Sequence, residues 1–148
     1  MFRGTSYHII DAKGRIKIPS RFREKIRQSE TDVIMVSRFD NCLVSYTMDE
    51  WRKVEERILS LSENSEVMRR FRRFFIGGAS ECICDNQDRI LIPPKLREDT
   101  ELEKDIVLVG VLNHFEIWSK QNYDIEELAL ASDMKKEDLR NEIGRLRL

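Results

Sequence analysis

The segment DAKGRIKIPSRFRE at residues 11–24 returns as DNQDRILIPPKLRE at residues 85–98, which lies 74 positions further along the chain. Seven of the fourteen positions are identical, where ordinary residue usage gives about one identity by chance. A long period present twice is typical of a duplicated supersecondary unit, because solenoids need about three or more repeats. The sequence therefore predicts one folding unit that occurs twice, each copy with one Asp-x-x-x-Arg turn.

Both copies predict the same order of elements: a strand, a tight turn, a second strand, a short helix and two further strands. The strands are expected at Tyr7–Ile10, Arg15–Ile18, Val33–Ser37 and Cys42–Tyr46, and again at Glu81–Cys84, Arg89–Ile92, Ile106–Val111 and Phe115–Trp118. In each second strand the isoleucines share one face and the arginine lies on the other, as the two-residue period requires. Pro19 and Pro93 end these strands. Ser20 is expected to cap the first short helix, and Pro94 to begin the second.

Helical patterns occupy the sequence between and after the copies. Thr47 to Glu50 resembles a capping box, after which apolar residues recur at helical spacing as far as Leu61. Further helices are expected at about 65–75, 124–131 and 135–146. The helix at 65–75 carries four arginines, which are open to three interpretations: a solvated face, a phosphate-binding patch, or an electrostatic contact between subunits.

These patterns predict a mixed α/β (α+β) fold with two copies packed as one pseudo-symmetric domain. The expected divisions are repeat 1 at 5–50, connecting helices at 51–78, repeat 2 at 79–122 and a C-terminal helical segment at 123–148.

The charge of the chain is close to zero but is distributed unevenly. The formal net charge is −1, yet residues 1–75 hold 16 basic and 11 acidic side chains, and residues 76–148 hold 10 and 16. Residues 1–28 alone carry eight Lys or Arg against two acidic side chains. This asymmetry is compatible with a polyanion bound on one surface, or with head-to-tail attraction between copies.

Several classes of protein lack their signatures in this sequence. There is no signal-like N-terminus, and the longest apolar run, Ile106 to Leu112, is too short to span a bilayer. The three cysteines show no disulfide spacing, so Cys82 and Cys84 are expected to be buried apolar residues of a cytoplasmic protein. No phosphate-cradling glycine loop or nucleophile elbow is present. We therefore expect no enzyme, and no metal, cofactor, small-molecule substrate or membrane partner.

The first turn, Asp11-Ala-Lys-Gly14-Arg15, has the residues of a short hairpin loop, since glycine adopts positive φ freely. Asp11 is expected to accept local backbone N–H bonds and to pair with Arg15. Such a pair can serve only to close the turn. It can equally hold Arg15 extended, which lowers the entropy lost when the guanidinium meets a phosphate or a guanine edge. Lys13 and Lys17 line the same tip, so nucleic-acid binding and a merely solvated basic surface remain alternatives.

Taken in order, these residues resemble the MraZ family of bacterial transcriptional regulators, which contain two SpoVT-AbrB-type repeats. The resemblance covers nearly the whole chain. The matching features are Met1-Phe2-Arg3-Gly4, the two Asp-x-x-x-Arg turns, the arginine-rich helix leading into Gly77-x-Ala79-Ser-Glu81-Cys82, and Gly110 followed by Phe115-Glu-Ile-Trp118.

The resemblance implies a tandem AbrB-type double-split β-barrel that assembles into a ring-shaped homo-oligomer. It further implies a cytoplasmic, nucleoid-associated repressor that binds tandem DNA repeats in the promoter of the division and cell-wall gene cluster. By motif match, the DNA-binding residues are Arg15 and Arg89, and the arginine-orienting residues are Asp11 and Asp85. Lys13, Lys17 and Arg3 are expected to support DNA binding as basic neighbours of the first turn. The alternative is an oligomeric protein-interaction scaffold without direct DNA readout.

The second turn departs from the family pattern at one position. Asp88 stands where glycine is expected before Arg89, and Leu91 stands where the first repeat has Lys17. Because aspartate tolerates positive φ, we expect the turn to keep its shape. Its added negative charge is expected to weaken the attraction of phosphate to Arg89, so the first turn is predicted to be the stronger DNA contact.

Overall fold

The computed structural model describes residues 1–148 and contains eight strands and six helices, which confirms the mixed α+β class. The strands are β1 (Phe2–Ile9), β2 (Arg15–Lys17), β3 (Val33–Phe39), β4 (Cys42–Thr47), β5 (Ser80–Ile83), β6 (Arg89–Leu91), β7 (Asp105–Leu112) and β8 (Phe115–Ser119). The helices are α1 (Ser20–Arg27), α2 (Met48–Leu59), α3 (Glu66–Phe75), α4 (Pro94–Asp99), α5 (Lys120–Asp133) and α6 (Glu137–Gly144).

The main sheet has six antiparallel strands in the order β1-β7-β8-β4-β3-β5. The first strand of each repeat pairs with the third strand of the other, since β1 lies beside β7 and β5 lies beside β3. The two fourth strands, β4 and β8, meet at the centre of the sheet. The sheet is therefore built by exchange between the repeats, which confirms that they pack as one pseudo-symmetric unit.

The second strands of the two repeats form a separate ribbon, β2 beside β6. Ile16 stands directly opposite Ile90, and these two residues are 74 positions apart, so the pseudo-twofold axis passes between them. Both isoleucines are fully buried. The backbone N–H of Ile18 donates to the carbonyl of Asp88, and that of Ile92 donates to the carbonyl of Gly14, at 2.8 and 2.9 Å.

This topology differs in one respect from the expected hairpin. The segments on either side of each turn do not pair with each other, because β1 joins the main sheet while β2 joins the ribbon. The turn therefore carries the chain from one sheet to the other. The buried isoleucines favour this arrangement, because pairing between the repeats places Ile16 and Ile90 side by side in the larger core cluster.

Two apolar clusters hold the elements together. The larger lies inside the barrel and centres on Phe2, Phe22 and Phe115, whose ring centroids are 5.2–5.4 Å apart. β1 pairs with β7, and it approaches Gly110 so closely that a Cβ there would lie 2.4 Å from the backbone N of Arg3. Cys82 belongs to the larger cluster, as expected for a buried apolar residue.

The smaller cluster lies on the outer face of the main sheet, where α2 and α3 pack. Trp51, Val54 and Ile58 of α2 are buried there, one helical turn apart. Thr47 caps α2 by accepting the N–H of Glu50, as predicted. The connecting helices thus cover one face of the sheet and leave the β2–β6 ribbon free.

The caps of the short helices differ from one expectation. Pro94 is the first residue of α4, as predicted. Ser20 is the first residue of α1 and does not cap it; Pro19 takes the cap position and no side-chain bond is formed there. The fixed φ of Pro19 starts the helix one residue earlier than the serine signal suggested.

The C-terminal helices α5 and α6 contain no buried residue, although Tyr123 near the start of α5 packs partly against the outer cluster. Ile125, Leu128 and Leu130 of α5 are exposed. Across the chain, every helix is too short or too polar to cross a lipid bilayer.

Candidate nucleic-acid interface

Turn 1, defined as Asp11–Arg15, is held by the Asp11 carboxylate together with backbone hydrogen bonds. Oδ1 accepts the backbone N–H groups of Lys13 and Arg15 at 3.0 and 2.8 Å. Oδ2 accepts Nε–H of Arg15 at 2.6 Å. The backbone closes with Gly14 N donating to the Asp11 carbonyl at 3.0 Å, and Gly14 has φ +88°. One side chain thus fixes both the backbone of the turn and the direction of Arg15.

Turn 2, defined as Asp85–Arg89, repeats this arrangement. Asp85 Oδ1 accepts the N–H groups of Gln87 and Arg89 at 2.8 and 3.0 Å, and Oδ2 accepts Nε–H of Arg89 at 2.9 Å. Asp88 takes the place of the glycine with φ +58°. The expectation that the second turn keeps its shape without glycine is confirmed.

Each turn leaves the far end of its arginine unoccupied. Asp11 and Asp85 engage only Nε of Arg15 and Arg89, and the terminal Nη1 and Nη2 atoms of both arginines have no partner. The arginine side chains are 30% and 25% exposed. A guanidinium fixed through Nε presents its two terminal nitrogens as a fork, which is the geometry that reads guanine or phosphate bidentately.

The ribbon places both arginines on one face. Arg15 stands opposite Leu91, and Lys17 stands opposite Arg89. Residues opposite each other in an antiparallel pair share a face, so these four side chains form the outer surface while Ile16 and Ile90 point into the core. Arg15 and Arg89 are diagonal neighbours, with Cα atoms about 7–8 Å apart.

The supporting basic residues lie in three different settings. Lys13 is exposed at the tip of turn 1 and its side chain has no partner. Lys17 Nζ donates to the carbonyl of Gln87 at 2.6 Å, so this residue of repeat 1 reaches across to turn 2. Arg3 is exposed near the start of β1, opposite Val111, and shares no hydrogen bond or ion pair with either turn. The structure brings Lys13 and Lys17 to the arginines but leaves Arg3 near the other end of β1.

Three further arginines, Arg23, Arg27 and Arg97, border the turns. Arg23 Nε donates to Asp88 Oδ1 at 3.0 Å, and Arg27 donates to the same oxygen at 3.3 Å. Arg97 lies over Gly14 without an ion pair. Arg23 and Arg97 are 74 positions apart and identical, so the internal repeat already contained the signal that they occupy equivalent places.

The electrostatics of the turns favour ionised aspartates. The pKa of Asp11 lies below its ordinary value, chiefly because its carboxylate accepts the backbone N–H of Arg15, and the Arg15 guanidinium adds to this effect. The pKa of Asp85 is lowered in the same way, chiefly by the backbone N–H of Arg89. Both orienting carboxylates therefore stay charged at neutral pH.

Away from the turns, three further observations concern the cysteines, the acidic residues and the arginines of α3. No group of three His, Cys, Asp or Glu side chains is placed to hold a metal ion. Burial raises the pKa of the Cys82 thiol to about 11, which keeps it protonated. On α3, Arg72 pairs with Glu63 at 3.1 Å and Arg70 with Glu66 at 3.4 Å, so part of that helix's charge is compensated locally.

The fold and the two turns define a class of protein: a tandem AbrB-type barrel that presents a pair of carboxylate-oriented arginines on a short ribbon. The family model described as "MraZ protein, putative antitoxin-like" matches the chain twice, at residues 1–74 and 75–144. The chain is 51% identical over its full 148 residues to the "Transcriptional regulator MraZ" of Desulforapulum autotrophicum, and 52% identical over 148 residues to that of Desulfosudis oleivorans, covering all of each relative. It is 41% identical to the Caldanaerobacter subterraneus protein of the same name, over 94% of both chains. The chain belongs to the MraZ family of transcriptional regulators.

Proposed function

We propose that this protein is a sequence-specific DNA-binding repressor that binds tandem promoter repeats as a homo-oligomer. The target expected from its family is the promoter of the division and cell-wall gene cluster. Arg15 is the foremost base contact and Arg89 the matching contact of the second repeat. Asp11 and Asp85 orient them, and Lys13 and Lys17 supply phosphate contacts.

One observation carries this proposal: the two arginines lie on one face of the ribbon, and each is fixed through Nε with both terminal nitrogens free. A two-stranded ribbon is narrow enough to enter the major groove of B-DNA. Pre-orientation lowers the rotamer entropy that binding removes, so the fork is ready for a guanine edge or a phosphate. A turn-closing role alone requires no free fork and no second arginine on the same face.

Assembly is proposed because one copy offers few contacts. Two arginine forks and a few lysines give modest affinity, whereas several linked copies on repeated sites gain affinity through effective concentration. The exposed apolar residues of α5 and the exposed Val67 and Phe74 of α3 are candidates for contacts between copies. Arg3, which lies away from the turns, is proposed as a peripheral phosphate contact.

The experiment is selection of bound fragments from the organism's own genome with purified protein, followed by titration of the selected duplex against salt. We expect recovery of fragments with tandem repeats, and an affinity that falls linearly in log salt with a slope set by the phosphates contacted. A protein-interaction scaffold would select no sequence and show no shift. Sedimentation of the free protein in the same salts measures the proposed assembly independently.

The finer organisation is part of the proposal. We place repeat 1 at 5–50, the connecting helices at 51–78, repeat 2 at 79–122 and the C-terminal helical segment at 123–148. A DNA-bound regulator of this kind acts in the cytoplasm at the nucleoid. Imaging of a fluorescent fusion, with the Arg15→Ala variant as control, would test that location: loss of nucleoid signal in the variant is expected.

A further inference from the structure

The carboxylate that replaces a glycine in turn 2 is bound by arginines of the other repeat. Asp88 Oδ1 accepts hydrogen bonds from Arg23 Nε and from Arg27 Nη2, at 3.0 and 3.3 Å. Both arginines lie on α1, within repeat 1. The Arg23 side chain is only 10% exposed, and it also contacts Asp32 at 3.3 Å. Turn 2 is thus linked to the first repeat by an ion-pair network in which Arg23 is the buried member, while Arg27 and Asp32 are exposed.

The equivalent place in repeat 1 has no carboxylate. Arg97, the counterpart of Arg23, lies so close to Gly14 that a Cβ there would be 2.5 Å from its Cζ. Arg97 forms no ion pair, and its buried Nε has no hydrogen-bond partner. The charge of Arg97 therefore stays uncompensated beside turn 1, whereas that of Arg23 is compensated beside turn 2.

The two turns consequently differ in charge although they share one geometry. Turn 1 and its strand carry Lys13, Arg15 and Lys17 against a single carboxylate, and turn 2 and its strand carry Arg89 against two. Attraction to the DNA backbone grows with uncompensated positive charge and carries no sequence information. The free fork of Arg89 does carry such information, because base edges differ in their donors and acceptors.

We propose that Asp88 is a specificity-determining residue: by binding Arg23 and Arg27 it holds their charges back from phosphate, while turn 2 keeps an oriented Arg89 for base contact. Arg23 is then a positioning residue for turn 2. This inference rests on the proposed DNA-binding function. Its consequence is a larger ratio of specific to non-specific affinity than two turns of the first kind would give.

The first test is Asp88→Asn, which removes the charge but keeps an oxygen that can accept the Arg23 bond. Binding to an unrelated duplex at low salt is expected to tighten about two- to tenfold, with a salt slope steeper by up to about one. Affinity for the selected duplex rises less, so the specificity ratio falls.

Gly14→Asp is the matched reciprocal change, since Arg97 is placed to pair with the new carboxylate. It is expected to weaken non-specific binding and to make the salt dependence of affinity less steep.

The second test addresses positioning by Arg23. Arg23→Gln removes the charged link to Asp88, and turn 2 is then expected to hold Arg89 less well. Arg89→Ala should therefore weaken binding to the selected duplex by a smaller factor in the Arg23→Gln background than alone, whereas the effect of Lys13→Ala in turn 1 stays constant. Arg23→Lys keeps the charge and is expected to restore part of the Arg89 effect. Circular dichroism tests whether each variant is folded. If Arg23→Gln is not folded, Asp88→Gln removes the same ion pair from the other side, and the effect of Arg89→Ala is measured in that background.

These experiments distinguish a failure of the proposed role of Asp88 from a failure of the proposed DNA-binding function. If the parent protein binds its selected duplex but Asp88→Asn and Gly14→Asp leave both specificity ratio and salt slope unchanged, the inference is wrong and DNA binding stands. An Arg89→Ala effect that is equal in both backgrounds removes the positioning role of Arg23. If the parent selects no duplex at all, the proposed function is wrong and this inference falls with it.

Discussion

Turn 1 and turn 2 have the same hydrogen bonds and different neighbours. Each aspartate accepts two backbone N–H groups and one arginine Nε, within 2.6–3.0 Å. At the fourth position Gly14 lies against an unpaired Arg97, while Asp88 binds Arg23 and Arg27. In both turns the aspartate at the first position and the arginine at the fifth position set the shape. The residue at the fourth position sets the net charge around the turn, because it decides whether arginines of the other repeat are paired with a carboxylate.

The strongest way to test the inequality of the turns is to remove each arginine separately. Arg15→Ala is expected to reduce affinity for the selected duplex about 1,000-fold, because each bidentate contact supplies about 1–3 kcal/mol and several copies bind together. Arg89→Ala is expected to cost only about tenfold, because turn 2 carries two carboxylates and no lysine, so that it is the weaker contact with DNA before the change. Fluorescence anisotropy at fixed salt measures both. Unaltered affinity in Arg15→Ala would refute the assignment, and equal losses would show that the turns contribute alike.

The two buried isoleucines of the ribbon should contribute equally to the free energy of unfolding, whereas the two turns should contribute unequally to DNA affinity. Ile16→Ala and Ile90→Ala each remove a fully buried side chain at the pseudo-twofold axis, so each should lower the free energy of unfolding by about 2–4 kcal/mol. Because the two side chains are directly opposite, the double variant should deviate from additivity. Urea denaturation followed by circular dichroism provides the values. A difference of more than about 1.5 kcal/mol between the single variants would show that the core is not equivalent at the two positions.

The fourth position of turn 1 should resist a side chain that brings no partner for Arg97. Gly14→Ala places a Cβ at φ +88° and 2.5 Å from the Arg97 guanidinium, so a loss of about 1–2 kcal/mol in unfolding free energy is expected. Asn86→Ala, at an exposed position of turn 2, is the control and should change stability by less than about 0.5 kcal/mol. Thermal unfolding measures both variants. Equal stability of Gly14→Ala and the parent would contradict the strain inferred at this position.

The smallest expected effect is the loss of stability at low pH, and it should be the same for the two turns. The pKa values of Asp11 and Asp85 are lowered, so their contribution to stability is complete above the ordinary aspartate value of about 4 and is lost as pH falls through the lowered values. Between pH 5 and 8 neither carboxylate should titrate. Carboxyl carbon shifts followed by NMR from pH 2 to 7 measure this directly. A midpoint at or above the ordinary value for either residue would show that its turn is open in solution.

Much of the fold followed from the repeated segment. The alternation around Ile16 and Ile90 located the second strands, Thr47 located the start of α2, and the orienting bonds of Asp11 and Asp85 follow from their position four residues before an arginine. Each of these features depends on residues only a few positions apart, so the local sequence pattern is enough to predict it.

What the sequence did not reveal lies between the repeats. The pairing of β1 with β7, the passage of each turn from one sheet to the other, and the binding of Asp88 by α1 arginines depend on contacts between distant residues. The hydrogen bond from Lys17 to the carbonyl of Gln87 in turn 2 is another contact of this kind. Periodicity does not predict contacts between distant residues. The internal repeat does relate Arg23 to Arg97, and it therefore predicts that the two arginines occupy equivalent places beside the turns.

The exchange of strands has a consequence for how the chain acquires its structure during synthesis. Phe2–Ile9 is made before the other strands described, yet its only neighbour in the sheet is Asp105–Leu112, which the ribosome completes roughly a hundred residues later. Because such distant partners are slow to meet, the opening strand must wait while α1, β3 and β4 are already available to one another. Until β7 is made, the backbone N–H and C=O groups of Phe2–Ile9 have no strand to pair with, and this stretch stays open to contacts with other chains.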